Sequence, residues 1–142
     1  MLVTGFGSTT AAASASASAT PGSASSAPVL TSIRAAHQPG FDLLVFQFRG
    51  RVPAHRSATY VKQVRQDPRG NIVRIKGKAK LLVRFYFANG YVHRHTYNLP
   101  GVIQVGDFEA VLTFGVGVSR HAPFHMFTLT NPSRVVINIK TR

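Results

Sequence analysis

From Val29 onward apolar side chains recur with a period of two rather than 3.6, and β-branched and aromatic residues dominate. Leu44, Phe46 and Phe48 alternate with Val45, Gln47 and Arg49. Leu81, Val83, Phe85 and Phe87 alternate with Leu82, Arg84 and Tyr86, and Val135, Ile137 and Ile139 with Arg134, Val136, Asn138 and Lys140. Successive strand side chains point to opposite faces, so each run predicts a strand with one buried face. Further strands are predicted at 30–35, 59–66, 72–76, 102–105, 108–114 and 124–130. In the last of these Phe124 and Met126 compete with Phe127 and Leu129 for the buried face. Turn signals separate the runs at Gln38-Pro39-Gly40, Asp67-Pro68-Arg69-Gly70, Gly77, Asn89-Gly90, Pro100-Gly101 and Asn131-Pro132-Ser133. No segment has the caps and spacing of an ordinary amphipathic helix. Short strands at regular spacing predict an all-β fold, an antiparallel β-sandwich of about 8–9 short strands.

That pattern begins late. Between Ser8 and Ser26 the chain is almost entirely Ala, Ser and Thr, with Pro21 and Gly22. Such a stretch lacks the large apolar side chains that offset the entropy of ordering, so residues 1–28 are expected to be a disordered leader or linker and 29–142 the domain. Leu2, Val3 and Phe6 followed by Ala-x-Ala patterns such as Ala13-Ser14-Ala15 resemble the tail of a secretory signal without its basic start. One expectation is a true start further upstream, and the plainer one is an Ala/Ser spacer with no targeting meaning. No apolar run approaches the ~18 residues of a membrane-spanning helix.

Charge changes the picture more than length does. The 142 residues hold 17 Lys and Arg against 4 Asp and Glu, a formal net charge of +13, and no cysteine. The missing cysteines exclude a disulfide framework, a thiolate metal site and a cysteine nucleophile. No cation precedes Arg34, which Asp42 balances, and from His95 onward the excess is only +2. The remaining +11 lies between Arg49 and Arg94, where Asp67 is the single acid. Within that block Arg74 and Lys76 precede Gly77, and Lys78, Lys80 and Arg84 follow it. A turn at Gly77 would set two cationic strand faces side by side, a comb able to track regularly spaced anions and to lose affinity steeply with salt. Tyr86 falls on the same predicted face as Lys80 and Arg84 and could stack on a sugar or a base. The plainer reading is a solvated strand face with edge-protecting lysines.

Enzyme chemistry finds little to use. Asp107 and Glu109, two apart, would share a strand face and could split their pKa values as an acid and base pair. The plainer reading has Asp107 completing a turn and Glu109 pairing with an arginine. Ser119 lacks the Gly-x-Ser-x-Gly elbow. His93 and His95 would share an extended face, as zinc ligands do when a third converges, whereas His121 and His125 would need a helix that Pro123 opposes. Gly115 and Gly117 precede no helix, so they read as a β-bulge or a close strand approach rather than a dinucleotide loop. No catalytic residue, metal site or cofactor is expected.

Three blocks carry a family resemblance. Arg34 to Phe46 (Arg-Ala-Ala-His-Gln-Pro-Gly-Phe-Asp-Leu-Leu-Val-Phe), Gly106-Asp107-Phe108-Glu109-Ala110, and Pro123 to Ile139 with Asn131-Pro132-Ser133-Arg134 inside it stand in order along the chain. Together they resemble the AMIN-like domain of actinobacterial secreted proteins and lipoproteins, over about residues 29–142. That domain is similar to the AMIN modules beside cell-wall amidases and in secretins. The resemblance implies a non-catalytic β-sandwich, secreted or envelope-associated, that targets the envelope, in some cases through peptidoglycan, and secretion would make peptidoglycan or an anionic wall polymer a better partner for the basic block than DNA. The basic middle block departs from the more neutral sequence the family would lead one to expect. Its residues Arg74, Lys76, Lys78, Lys80, Arg84 and Tyr86 are the candidate ligand face, with a nucleic acid or another polyanion as the second reading. No nucleic-acid motif such as an RNP sequence or a recognition helix accompanies them.

Overall fold

Residues 26–90 and 101–141 are described by the computed structural model. Eleven strands form among them: β1 (Val29–Gln38), β2 (Phe41–Arg49), β3 (His55–Val61), β4 (Val64–Arg65), β5 (Ile72–Val73), β6 (Ala79–Tyr86), β7 (Asn89–Gly90), β8 (Val102–Phe108), β9 (Val111–Val118), β10 (Phe124–Leu129) and β11 (Ser133–Lys140). No helix forms among these residues. One sheet has the order β10-β11-β2-β1-β7 and the other β3-β6-β9-β8. All pairings in the two sheets are antiparallel except the short β1–β7 contact.

Alternation decides how the two sheets meet. Leu44, Phe46 and Phe48 of β2 and Val135, Ile137 and Ile139 of β11 face Leu81, Val83 and Phe85 of β6 and Leu112, Phe114 and Val116 of β9. At the centre the Phe46 ring meets Phe85 edge-on at 4.9 Å and Phe114 at 5.2 Å. Rings in tilted and edge contact gain about 0.5–1.5 kcal/mol per pair beyond their buried area, which favours this register over a slipped one. On β10, Phe124 and Met126 pack against the core while Leu129 is exposed, which resolves the competition seen in the sequence.

Four expectations need correction. Phe87 does not continue the buried row of Leu81, Val83 and Phe85: β6 ends at Tyr86, Phe87 takes φ 56°, and its side chain is 68% exposed. That left-handed residue reverses the side-chain parity, so Ala88 enters the core instead. Asn89-Gly90 is not a turn but a two-residue strand beside Val29 and Leu30. The predicted strand at 59–66 is two strands, because the chain leaves the sheet after Val61. The predicted strand at 108–114 starts at Val111, because Glu109 (φ 53°) and Ala110 (φ 62°) form the β8–β9 turn. Positive φ at both central residues matches the right-handed twist of the flanking strands.

A third layer covers the outer face of the β3-β6-β9-β8 sheet. β4 and β5 pair with each other, and Val64, Ile75 and Val105 form a small second core with Val61, Val73 and Leu82. The seat for this flap is the outer side of β9, where Thr113, Gly115 and Gly117 succeed one another. A Cβ on Gly115 would overlap Ile75 Cδ1 and stand 2.9 Å from Val64 Cγ1, and one on Gly117 would overlap the Lys76 carbonyl oxygen. Of the two sequence readings for these glycines the structure has the close approach. The register shift lies instead in β8, between Gln104 and Gly106.

Candidate anion-binding face

Lys80, Leu82, Arg84 and Tyr86 alternate with the buried Leu81, Val83 and Phe85, so they share the outer face of β6 as the sequence predicts. The flap divides them. Leu82 lies under the second core, between Lys80 on one side and Arg84 and Tyr86 on the other. From Lys80 to Tyr86 the strand rises about 20 Å, so no single small group spans both ends.

Arg74, Lys76 and Lys78 do not form a cationic strand next to β6. β5 stops at Val73 and pairs with β4, and residues 74–78 cross β9 as irregular chain. The physical reason is Ile75: burying it against Gly115 and Gly117 uses the only inward-facing position of that segment and leaves Arg74 and Lys76 exposed on either side. Gly77 then takes φ 137° with its Cα against the Val118 backbone, where an added Cβ would stand 2.9 Å from Val118 N and O. Only glycine fits both the angle and the space, and the tight bend delivers Lys78 to the start of β6.

Two clefts result. One, of about 450 Å3, is lined by Tyr60, Lys62, Lys78, Lys80 and His121 with Val61 and Ala79. The other, of about 430 Å3, is lined by Arg84 and Tyr86 together with Asp67, Glu109, Pro68, Phe108 and Val111. The candidate face of the sequence is thus split into a lysine end without acids and an arginine end with two. Among the described residues the one contact between a basic side chain and a carboxylate within ion-pair distance is the hydrogen bond between His37 Nδ1 and Asp42 Oδ1, 2.7 Å, on the opposite sheet.

Tyr60 and Lys62 are not among the candidate ligand residues of the sequence, and His121 is weighed there only as half of a zinc pair with His125. Tyr60 and Lys62 sit two apart and could have been grouped by strand alternation, but nothing in the chain links them to His121, about sixty residues on. Tertiary structure makes that link. The Tyr60 hydroxyl donates to the Ala122 carbonyl at 2.6 Å and accepts from the Ala122 N–H at 3.1 Å. The His121 ring lies on Tyr60 with centroids 3.9 Å apart and 30° between planes.

The other chemical candidates fare differently. Glu109 stands in the turn at φ 53°, so Asp107 and Glu109 do not share a strand face, and no ion pair of Glu109 is formed among the described residues. His125 lies on β10 and stacks on Phe127 at 5.6 Å, apart from His121 in the preceding loop. His93 and His95 lie outside the described residues. No three His, Asp or Glu side chains converge among the described residues in a way that could hold a metal ion.

No curated protein sequence and no solved structure matches this chain. A family model described as the AMIN-like domain matches residues 28–141, which takes in both sheets and the flap. The chain therefore belongs to the AMIN-like domain family.

Proposed function

We propose that this chain is a non-catalytic cell-envelope module, secreted or envelope-associated, that binds peptidoglycan or an anionic wall polymer through the basic outer face of the β3-β6-β9-β8 sheet. The residues ahead of Pro28, which is itself buried in the domain, stand before it as a leader or linker. Family membership supports the envelope context. The observation that carries the ligand class is electrostatic: Arg74, Lys76, Lys78, Lys80 and Arg84 lie on β6 or on the segment that crosses the outer side of β9, and none has an acidic partner within ion-pair distance among the described residues. Cations that outnumber the nearby acids and form no ion pair with them attract a polyanion at long range and gain affinity by releasing its counterions. Tyr86, half-buried beside Arg84, offers a ring edge to a sugar.

The test is retention of the full chain on purified sacculi, native or stripped of anionic polymers, across a salt series and against DNA-cellulose. Retention on native sacculi that falls steeply with salt and weakens on stripping is expected. Retention on DNA with none on sacculi would overturn the envelope reading in favour of a nucleic-acid ligand.

A further inference from the structure

Resting on that reading, we infer that the cleft of Tyr60, Lys62, Lys78, Lys80 and His121 is the ligand site proper, and that it takes a phosphodiester group of a polyol-phosphate polymer. Three separate segments build it: the end of β3 with the link that follows, the approach to β6 with its first residues, and the β9–β10 loop. Lys80 stands cross-strand from Val61 on one side and Gly117 on the other. Three lysines lining one small cleft raise the local positive potential, which a bound anion lowers.

The chain keeps all of its own acids away. Asp42 is paired with His37 on the opposite sheet. Asp67 and Glu109 line the cleft at the other end of β6. Asp107 is in register with Leu112, which is in register with Phe85, so it belongs to that far end too. The lysine end has therefore no internal anion to compete with a ligand.

The frame of the cleft is held by its own contacts. Tyr60 is fixed by two hydrogen bonds to the Ala122 backbone and by His121 on its ring, and Lys78 by the glycine bend against Val118. Binding to a prebuilt frame costs little ordering entropy beyond the lysine side chains. The donor set bears on the anion. Arginine forks grip carboxylates and phosphates alike in a planar, bidentate geometry, whereas a lysine ammonium binds phosphate as a point charge from any direction, so three lysines with no arginine among them suit the rounded charge of a phosphodiester. A nucleic acid is the weaker fit, because single strands bind by stacking bases on open aromatic faces, and His121 already covers Tyr60.

The test titrates the 15N-labelled full chain with a synthetic glycerol-phosphate hexamer and, separately, with a hexaglutamate of equal charge. The phosphate hexamer is expected to shift the backbone amides of residues 60–62, 78–80 and 121 most. The triple variant K62Q/K78Q/K80Q should weaken its binding about tenfold, from three contacts of a few tenths of a kcal/mol each. It should also flatten the slope of log K against log salt by about 2. The matched triple R74Q/K76Q/R84Q, with the same loss of charge, should weaken binding less than about threefold. Melting curves confirm that both triples fold, and the shift map on the wild-type chain stands independently of them. Equal losses in the two triples, equal affinity for hexaglutamate, or shifts centred on Arg84 and Tyr86 would overturn the assignment. Failure of the phosphate hexamer with sacculus retention intact would overturn this inference alone. Loss of sacculus retention itself would fail the broader reading.

Discussion

A single missing side chain sets the geometry of the flap. Along the outer side of β9 the series Thr113, Gly115, Gly117 tapers from a buried hydroxyl, 3.5 Å from Asp67 Oδ2, to bare backbone against the Lys76 carbonyl. Gly117 does not have a positive φ, so its role is space rather than angle. Replacing it by Ala inserts a methyl where the Lys76 carbonyl oxygen and Ile75 Cγ2 already stand, and both belong to a segment that can yield only by lifting. Overpacking of this kind costs roughly 1–3 kcal/mol. G117A is therefore expected to lower the free energy of unfolding by that order, read as a lower denaturation midpoint at unchanged m-value, and to move the amide resonances of residues 72–78 more than those of β2 or β11. Shifts spread evenly over both sheets would show that Gly117 is not a seat for the flap. Gly40 provides the contrast: an added Cβ there meets nothing, and its positive φ of 90° alone makes it glycine.

The elements differ in how firmly they are held. β6 and β9 are paired on both edges and covered on both sides, by the main core within and by the flap outside. The flap itself has two two-residue strands, a turn closed by the Gln66 N–H donating to the Asn71 carbonyl at 2.8 Å, and one backbone tether, the Asp67 N–H to the Val105 carbonyl at 2.8 Å, beside the long Thr113 hydroxyl bond to Asp67. Few bonds and three buried apolar residues predict sub-global opening below the free energy of global unfolding. Native-state hydrogen exchange should accordingly place the amides of residues 64–73 in a less stable class than those of 81–85, and I75A should speed the first class without the second. One common exchange rate for both would show that the flap opens only with the whole domain. The flap is also where sequence reasoning fell short. The strands of the main sandwich were legible because Leu44, Phe46, Phe48, Val135, Ile137 and Ile139 alternate against one continuous core. At 72–76 the alternation of Ile72, Arg74 and Lys76 with Val73 and Ile75 is equally clean, yet the partner is β4 and a glycine face rather than β6. Periodicity reports that one face is buried and does not say against what. The same limit hid the candidate site: Lys80 was found by alternation, whereas His121 reaches it only through a stack on Tyr60 that no local pattern encodes.

At the scale of the whole molecule, the net charge of +13 can act in two ways. It can attract a polyanion to any surface, or it can do so through one face. Arg34, Arg134 and Lys140 offer a means of separating these, because they alternate with the buried Ile33, Val135 and Ile139 and so lie on the outer side of the β10-β11-β2-β1-β7 sheet. Packed sheets stand about 10 Å apart, and side chains on the two outer faces extend well beyond that. At physiological salt the screening length is about 8 Å, so charges on opposite faces are largely independent there and coupled only in dilute buffer. The triple variant R34Q/R134Q/K140Q removes the same three charges as a triple on the other face. If binding is directed by the outer face of β6 and its flap, this variant should keep wild-type retention on sacculi at about 0.15 M salt and lose some only when salt is lowered to about 0.01 M, where the screening length reaches about 30 Å. A loss at both salt concentrations equal to that of K62Q/K78Q/K80Q would mean that the charge acts as a sum, with no favoured face. Face-directed binding would instead fix which side of the sandwich meets the wall polymer, leaving the opposite sheet, with its His37–Asp42 pair, turned away from it.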